Sequence, residues 1–149
     1  MKGLTLRTVR PSDLKEVYKI ERFSFKQPFP PSYLETLAYL SPETFIVASI
    51  DECVVGYSAS VLRGFEGHIL SIAVHPDYRG LGVGEKVLRE NIKRLKELGA
   101  KKVVLEVRVS NTAAIRLYKK VGFEVSGLLK NYYWDGEDAY KMILTIDDR

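Results

Sequence analysis

The chain has 149 residues, of which 28% are charged and 46% hydrophobic, and its formal net charge is +4. These proportions are those of a globular protein with one core, so we predict a single domain over residues 1–149. Because no apolar run is long enough to span a bilayer and no signal peptide begins the chain, we expect a cytoplasmic protein without membrane contact.

Three kinds of site are disfavoured by the same composition. A net charge of +4 is too small to indicate nucleic-acid binding, and the basic residues are interspersed with acids. The single Cys53 cannot form an internal disulfide, which fits a reducing compartment. One cysteine and two histidines do not make up a zinc site, so we predict no metal.

The first part of the chain predicts a strand, two helices and a hairpin. Residues 4–9 alternate and predict a strand, and Pro11-Ser12-Asp13 then opens a helix, since proline and acidic residues favour a first turn. A stiff proline-rich loop over residues 26–31 leads into a second helix that ends near residue 40. Residues 44–50 and 53–62 predict two hairpin strands joined by Asp51-Glu52, and residues 64–67 predict a turn.

The middle of the chain predicts a buried strand, a glycine-rich loop and an amphipathic helix. Residues 68–74 form the strand, which ends at Pro76 because proline has no amide hydrogen to donate. Residues 78–84 form the loop, and the helix that follows ends at Gly99. Such a unit directs free backbone amides and the positive end of a helix dipole at one point, which suits a phosphate or pyrophosphate.

The glycine spacing differs from that of two common nucleotide-binding loops. Gly84 is followed by Glu85-Lys86, so the Gly-Lys-Ser/Thr of a P-loop is missing, as is Gly-x-Gly-x-x-Gly. A flexible connector to the helix is the alternative interpretation. Glycine is needed at a diphosphate site because a side chain would hold the phosphates away from the amides.

The last part of the chain predicts a strand, a helix and a strand pair. Residues 101–109 form the strand, and Ser110-Asn111-Thr112 caps a helix that ends at Gly122. Residues 123–129 and 139–146 form the final pair around a loop over residues 131–138. The strand–helix–strand order in the middle implies a parallel pair with a right-handed crossover inside a mostly antiparallel sheet.

Glu106 lies in the middle of a predicted central strand. Alternation places Val104, Glu106 and Arg108 on one face and the intervening apolar residues on the other. A carboxylate at such a position is costly unless it is paired or hydrated. It is either a structural ion pair with Arg108 or another basic residue, or a general base in a substrate cleft.

These motifs resemble the GNAT family of N-acetyltransferases. Arg79-x-x-Gly82-x-Gly84 is similar to the first half of the family's acetyl-CoA signature, and residues 105–111 and 113–123 resemble its second half. In this form the chain is most similar to the RimI and archaeal N-terminal acetyltransferase branch. Residues 131–142 of this chain resemble the C-terminal hairpin of that branch. The resemblance covers nearly the whole chain, strongly from Gly67 onwards and more loosely before Ser60.

The resemblance implies a fold and a cosubstrate. The fold is of the α/β (α+β) class, with a mixed central sheet of about seven strands, a splayed central parallel pair and four flanking helices. The cosubstrate is acetyl-CoA. Its pyrophosphate would be held by backbone amides of Arg79, Gly80, Leu81, Gly82, Val83, Gly84 and Glu85.

Two further segments would meet acetyl-CoA. Ile72, Ala73 and Val74 are ordinary strand core by composition, but the resemblance implies that their backbone pairs with the pantetheine arm like an added strand. Asn111 caps its helix and, in the family, also meets the CoA arm.

The resemblance also implies catalytic roles for three side chains. Glu106 would be the general base, and Tyr118, otherwise a core residue of its helix, would protonate the leaving thiolate. His68, otherwise a surface residue, would assist proton removal.

Aromatic residues in two loops would surround the acceptor. Phe29, Tyr33, Tyr132, Tyr133 and Trp134 are either stray loop aromatics or walls around a peptide N-terminus. Some archaeal members carry Pro-Glu-Asn where this chain has Pro28-Phe29-Pro30, so we expect no extra carboxylate base from that loop.

The function implied is transfer of the acetyl group of acetyl-CoA to the α-amino group of a protein N-terminus, for example of a ribosomal protein or a nascent chain. An α-amino group has a pKa of about 7.7–8.0 against about 10.4 for lysine, so a modest base suffices. Two alternatives stay open. One is acetylation of a small amine, such as a polyamine or antibiotic, or of a lysine; the other is a non-catalytic CoA-sensing or nucleic-acid-binding module.

Overall fold

A computed structural model describes residues 3–146, which form one seven-stranded mixed sheet with helices packed on both faces. The elements are β1 (Leu4–Thr8), α1 (Leu14–Ser24), α2 (Pro31–Leu40), β2 (Phe45–Ile50), β3 (Cys53–Arg63), β4 (Glu66–Val74), α3 (Val83–Glu97), β5 (Lys102–Arg108), α4 (Thr112–Val121), β6 (Glu124–Leu129) and β7 (Ala139–Thr145). In this part of the chain no helix has the length and apolar character that a membrane crossing requires.

The strand order is β1-β2-β3-β4-β5-β7-β6, and β4 with β5 is the parallel pair while the other neighbours are antiparallel. This confirms the predicted mixed sheet, its parallel pair and its four helices. The predicted turn over residues 64–67 was wrong: β4 begins at Glu66, and the turn is only Gly64-Phe65. A two-residue turn is possible there because Gly64 adopts a φ of +61°.

The parallel pair is short. β4 and β5 pair only through Glu66 with Lys102, Gly67 with Val103, and His68 with Val104. Immediately beyond, the pairing of β4 with β3 skips Leu70, which forms a bulge and increases the local twist. The strands therefore separate, and the rest of β4 faces the second half of β5 across an opening.

Each face of the sheet has its own core. Helices α1 and α2 cover one face, where Phe45, Val47 and Tyr57 are fully buried. Helices α3 and α4 cover the other face, where Leu88 of α3 packs in one cluster with Leu105 of β5. Glu106 lies between two buried neighbours that point to the α3–α4 side, so its side chain is directed to the opposite face.

A buried asparagine fixes α3 to the sheet. Asn91 is fully buried, and its amide donates to the carbonyls of Thr44 and Ser58 at 3.0 and 3.1 Å and to Ser58 Oγ at 2.9 Å. Its oxygen accepts from Ser60 Oγ at 2.7 Å. Because the glycine-rich loop leads directly into α3, this network also fixes the position of that loop.

We expect Asn91→Leu to lower the free energy of unfolding by about 2–4 kcal/mol, because it leaves several buried polar groups without partners. Urea denaturation measures the change. Arg89→Ala, on the exposed side of the same helix, is the matched control and should cost less than about 1 kcal/mol. Equal effects of the two substitutions would contradict the assignment of Asn91 as the anchor of α3.

Candidate active site

The glycine-rich loop adopts the conformation that an anion site needs. Gly80 and Gly82 have φ values of +78° and +84°, which favour glycine, and Gly82 occupies the N-cap of α3 without a side chain to cap it. The first amides of α3 therefore point outward at the positive end of the helix dipole. This arrangement can bind a phosphate group.

A groove of about 460 Å³ runs from this loop along the end of β4 to α4. Nearly all of the predicted cofactor residues line it: Ile72, Ala73, Val74, Arg79, Gly80, Gly82, Val83, Gly84, Glu85 and Tyr118. Leu81 is about half exposed and does not line the groove, and Asn111 lines an adjoining cavity. Asn111 also caps α4, as predicted, by accepting from the amide of Ala114 at 3.2 Å.

Cations border the groove. Arg116 and Lys120 line it together with Arg79, whose guanidinium donates to the carbonyl of Val74 at 2.9 Å. Glu85 is the acid at its edge, and Lys120 at 2.8 Å and Arg89 at 2.9 Å both bind its carboxylate. Hydrogen bonds from Lys120 and then Arg89 lower the pKa of Glu85. The acid is thus neutralised, and the groove favours an anionic ligand.

Glu106 and His68 meet at the point where β4 and β5 separate. His68 Nε2 lies 2.8 Å from Glu106 Oε1, and both side chains are about one-fifth exposed. Arg108 does not pair with Glu106 but binds Asp135 and Glu137 at 2.9 and 2.8 Å. One partner of Glu106 is therefore a histidine on the neighbouring strand, a side chain whose ring nitrogens can accept or donate a hydrogen.

Tyr118 lies between the groove and Glu106. It lines the groove and both of the small cavities beside Glu106, of about 110 and 50 Å³. It also packs edge to face on Phe123 with ring centroids 5.9 Å apart, so it belongs to the core and to the candidate site together. Burial, and then Tyr133, raises the pKa of Tyr118 far above its usual value, so the phenol keeps its hydrogen.

The loop between β6 and β7 closes over Glu106 and is held by Arg108. The Arg108 guanidinium lies 4.0 Å from the ring centre of Tyr133 and binds Asp135 and Glu137. Burial, then the charge of Glu106 and a hydrogen bond to it, raises the pKa of Tyr132. Burial raises the pKa of Tyr133 to about 12. The structure thus brings both predicted tyrosines to the site.

The loop between α1 and α2 reaches the site through different residues from those that the sequence suggested. Phe25, Lys26 and Gln27 line the 110 Å³ cavity with Glu106 and Tyr133. Phe29 and Tyr33 contact each other with ring centroids 4.7 Å apart and planes tilted by 41°, and both pack against the core under α1 and α2, outside that cavity. Trp134 is 71% exposed.

Two other features of the described residues bear on the site. No group of three or more metal-ligating side chains comes together between residues 3 and 146. A cavity of about 890 Å³ lies between α1 and α2, and none of the predicted site residues line it. The predicted chemistry therefore converges on the opening between β4 and β5.

The chain is similar to known acetyltransferases both in sequence and in fold. The Acetyltransferase (GNAT) family matches residues 14–123. An N-alpha-acetyltransferase of Sulfurisphaera tokodaii is 39% identical over 95% of this chain and 92% of its own length. The structure of Ard1 from Thermoplasma volcanium is similar with a TM-score of 0.94 and 33% identity, covering 98% of this chain and 99% of that one. The ribosomal-protein-S18-alanine N-acetyltransferase from Escherichia coli has a TM-score of 0.86 and 30% identity, covering 98% and 96%.

Acid should release the β6–β7 loop before the protein unfolds. Hydrogen bonds from the amide of Glu137 and from Arg108 lower the pKa of Asp135, and those from Ser110 and Arg108 lower that of Glu137. Lowered values mean that the ion pairs stabilise the loop at neutral pH, and that this contribution is lost as the pH falls below about 4. The fluorescence anisotropy of Trp134, the single tryptophan, should fall in that range.

Circular dichroism at the same pH values provides the control for global unfolding. Arg108→Met should show low Trp134 anisotropy already at neutral pH, with little further change on acidification. If the anisotropy follows the loss of circular dichroism in both proteins, the ion pairs do not order the loop.

Proposed function

The chain belongs to the GNAT acetyltransferase family, and we propose that it transfers the acetyl group of acetyl-CoA to the α-amino group of a protein N-terminus. The observation that carries the proposal is the position of the Glu106–His68 pair and Tyr118, between the cofactor groove and the cavity under two aromatic loops. The acceptor class is supported by the names of two similar proteins, an N-alpha-acetyltransferase and a ribosomal-protein-S18-alanine N-acetyltransferase.

The groove fits acetyl-CoA in three respects. Free amides at the start of α3 and the cations Arg79, Arg116 and Lys120 suit its phosphates. The part of β4 beyond His68 forms no pair with β5, so its backbone can accept the pantetheine arm as an added strand. Acetyl-CoA supplies an activated thioester when it is bound there.

Proton removal falls to Glu106 in this proposal. An α-ammonium has a pKa of about 7.7–8.0, so a carboxylate can remove its proton directly or through water near neutral pH. His68 binds Glu106 Oε1, which orients the carboxylate and gives the proton a second site. The free amine then attacks the thioester carbon, the C–S bond breaks, and the second proton of the nitrogen is transferred to the departing CoA sulfur, so the products are the amide and the CoA thiol and no covalent enzyme intermediate forms.

Tyr118 would stabilise the leaving group more by a hydrogen bond than by full proton transfer. The thiol of CoA is far more acidic than a phenol whose pKa burial has raised, so complete transfer from Tyr118 would be uphill. A phenol that stays protonated is instead a constant donor to the developing thiolate. This modifies the role that the family resemblance implied.

The kind of amine that accepts the acetyl group is also part of the proposal. The cavity over Glu106 has a volume of only about 110 Å³ and is bounded by Phe25, Tyr118 and Tyr133. Such a small aromatic cavity suits the first residues of an extended peptide better than it suits a polyamine, which would need an open acidic cleft. We propose protein N-termini, ribosomal proteins among them, over polyamines, antibiotics or lysine side chains. The predicted cytoplasmic location remains a prediction.

We expect Glu106→Gln to lower the turnover of peptide acetylation by about 10²-fold or more, because the base is lost, while the affinity for CoA stays within about twofold. Steady-state assays on short peptides with varied first residues, and on a polyamine, measure turnover, and calorimetry measures CoA binding. Glu124→Gln, which removes an exposed acid of β6, is the control. Turnover of the polyamine alone would reject the acceptor class, and full activity of Glu106→Gln would reject the base.

We expect Gly82→Val to weaken CoA binding by at least about tenfold, because a side chain there would hold the diphosphate away from the amides of α3. Gly64→Val is the matched control, since Gly64 also has a positive φ, and at both positions a Cβ would meet nothing within 4 Å. Both substitutions should cost similar stability, about 1–2 kcal/mol. Calorimetric titration with CoA should therefore separate them, and equal affinities would contradict the phosphate site.

A further inference from the structure

A carboxylate is buried on the apolar face of α1. Glu21 is only 2% exposed and lies beside the buried residues Val17 and Ile20. A buried charge is costly unless hydrogen bonds replace its hydration, and an apolar side chain at the same position often gives equal or greater stability. The role of Glu21 therefore depends on the groups that its carboxylate binds.

The carboxylate of Glu21 accepts hydrogen bonds from three different segments. Oε1 accepts from the hydroxyl of Tyr57 on β3 and from Ser71 Oγ on β4 at 2.6 Å. Oε2 accepts from the backbone amide of Phe29, in the loop between α1 and α2, at 2.9 Å. Burial and the charge of Glu21 raise the pKa of Tyr57 well above its usual value, so Tyr57 remains a donor.

Two of these partners lie next to the candidate site. Ser71 follows the bulge at Leu70 and lines the small cavity that also contains Glu106 and Tyr118. Phe29 belongs to the same loop as Phe25 and Gln27, which wall the cavity over Glu106. The hydrogen bonds of Glu21 to the Phe29 amide and to Ser71 therefore connect the loop on the acceptor side of that cavity to β4, at the point where the strands separate.

We propose that Glu21 is a positioning residue for the acceptor: its carboxylate fixes the α1–α2 loop to β4 and so sets the distance between the loop and Glu106. This inference rests on the proposed function. Since binding is tighter when the site is ordered beforehand, loss of the connection should weaken acceptor binding more than acetyl-CoA binding. The acetyl-CoA groove is formed by other elements, the end of β4, the glycine-rich loop and α4.

Glu21→Gln tests the proposal with almost no change in volume. A glutamine oxygen can still accept from Tyr57 and Ser71, but its NH₂ group then faces the Phe29 amide, so two donors oppose each other. We expect the KM for peptide to rise about tenfold or more, while the KM for acetyl-CoA stays within about twofold and kcat within about threefold. Hydrogen exchange of the Phe29 amide should accelerate by about tenfold or more.

Tyr57→Phe is the matched control, because it removes one donor to the Glu21 carboxylate but leaves the hydrogen bond from the Phe29 amide in place. It should lower the stability to urea without raising the peptide KM or the Phe29 exchange rate. If it raises the peptide KM as much as Glu21→Gln does, or if Glu21→Gln leaves both quantities unchanged, Glu21 is a core residue only and the proposal is wrong.

Two measurements keep the test independent of folding and of the proposed function. In the unaltered protein the Phe29 amide should exchange at least about tenfold more slowly than that of the exposed Gln27, and equal rates would overturn the proposal even if Glu21→Gln failed to fold. If the unaltered protein binds acetyl-CoA but acetylates no peptide, the acceptor class is wrong. Phe29 exchange in Glu21→Gln then still decides whether Glu21 holds the loop.

Discussion

The early separation of β4 from β5 is the constraint on which the rest of this structure depends. A sheet normally satisfies its backbone groups by continuing to pair, but here pairing stops after His68 and Val104. The bulge at Leu70 turns β4 away, which leaves its backbone available to a ligand and brings Glu106 to the wall of an opening. The glycine-rich loop lies at one end of this opening and the cavity over Glu106 at the other.

Polar side chains hold the surrounding elements in place. Asn91 attaches α3, and with it the glycine-rich loop, to β3 and to Thr44, the residue just before β2. Arg108 holds the β6–β7 loop, and Glu21 holds the α1–α2 loop. Each of these side chains connects a segment near the opening to the sheet. An apolar contact alone would not fix that segment in a single position. Polar side-chain contacts therefore define the shape of the site, and apolar burial supplies most of the stability.

Much of this arrangement could be predicted because it depends on local patterns. Apolar periodicity located the helices and strands, alternation located the face of Glu106, and three closely spaced glycines located the loop before α3. The Glu106–His68 contact could not be predicted in the same way, since it depends on the register of two strands that are distant in sequence.

Residues whose partners lie on other elements account for the remaining differences. Glu21 stands on the apolar side of α1, which is a signal in the sequence, but its partners on β3 and β4 are set only by the packed fold. Phe29 and Tyr33 were predicted to line the acceptor cavity because they are aromatic residues of that region, whereas both rings are partly buried against the core and Phe25 lines the cavity over Glu106. A pattern along one element gives the direction of a side chain, and its neighbour depends on the other elements.

The short parallel pair also has a mechanical consequence. The strands β1–β4 and β5–β7 form two halves of the sheet that are hydrogen-bonded to each other through only three residue pairs at one end of the seam. A rotation about Gly67 and Val103 would displace the unpaired end of the seam more than the paired end, because the displacement grows with distance from the three residue pairs. A ligand that adds a strand between the two halves would fasten that seam.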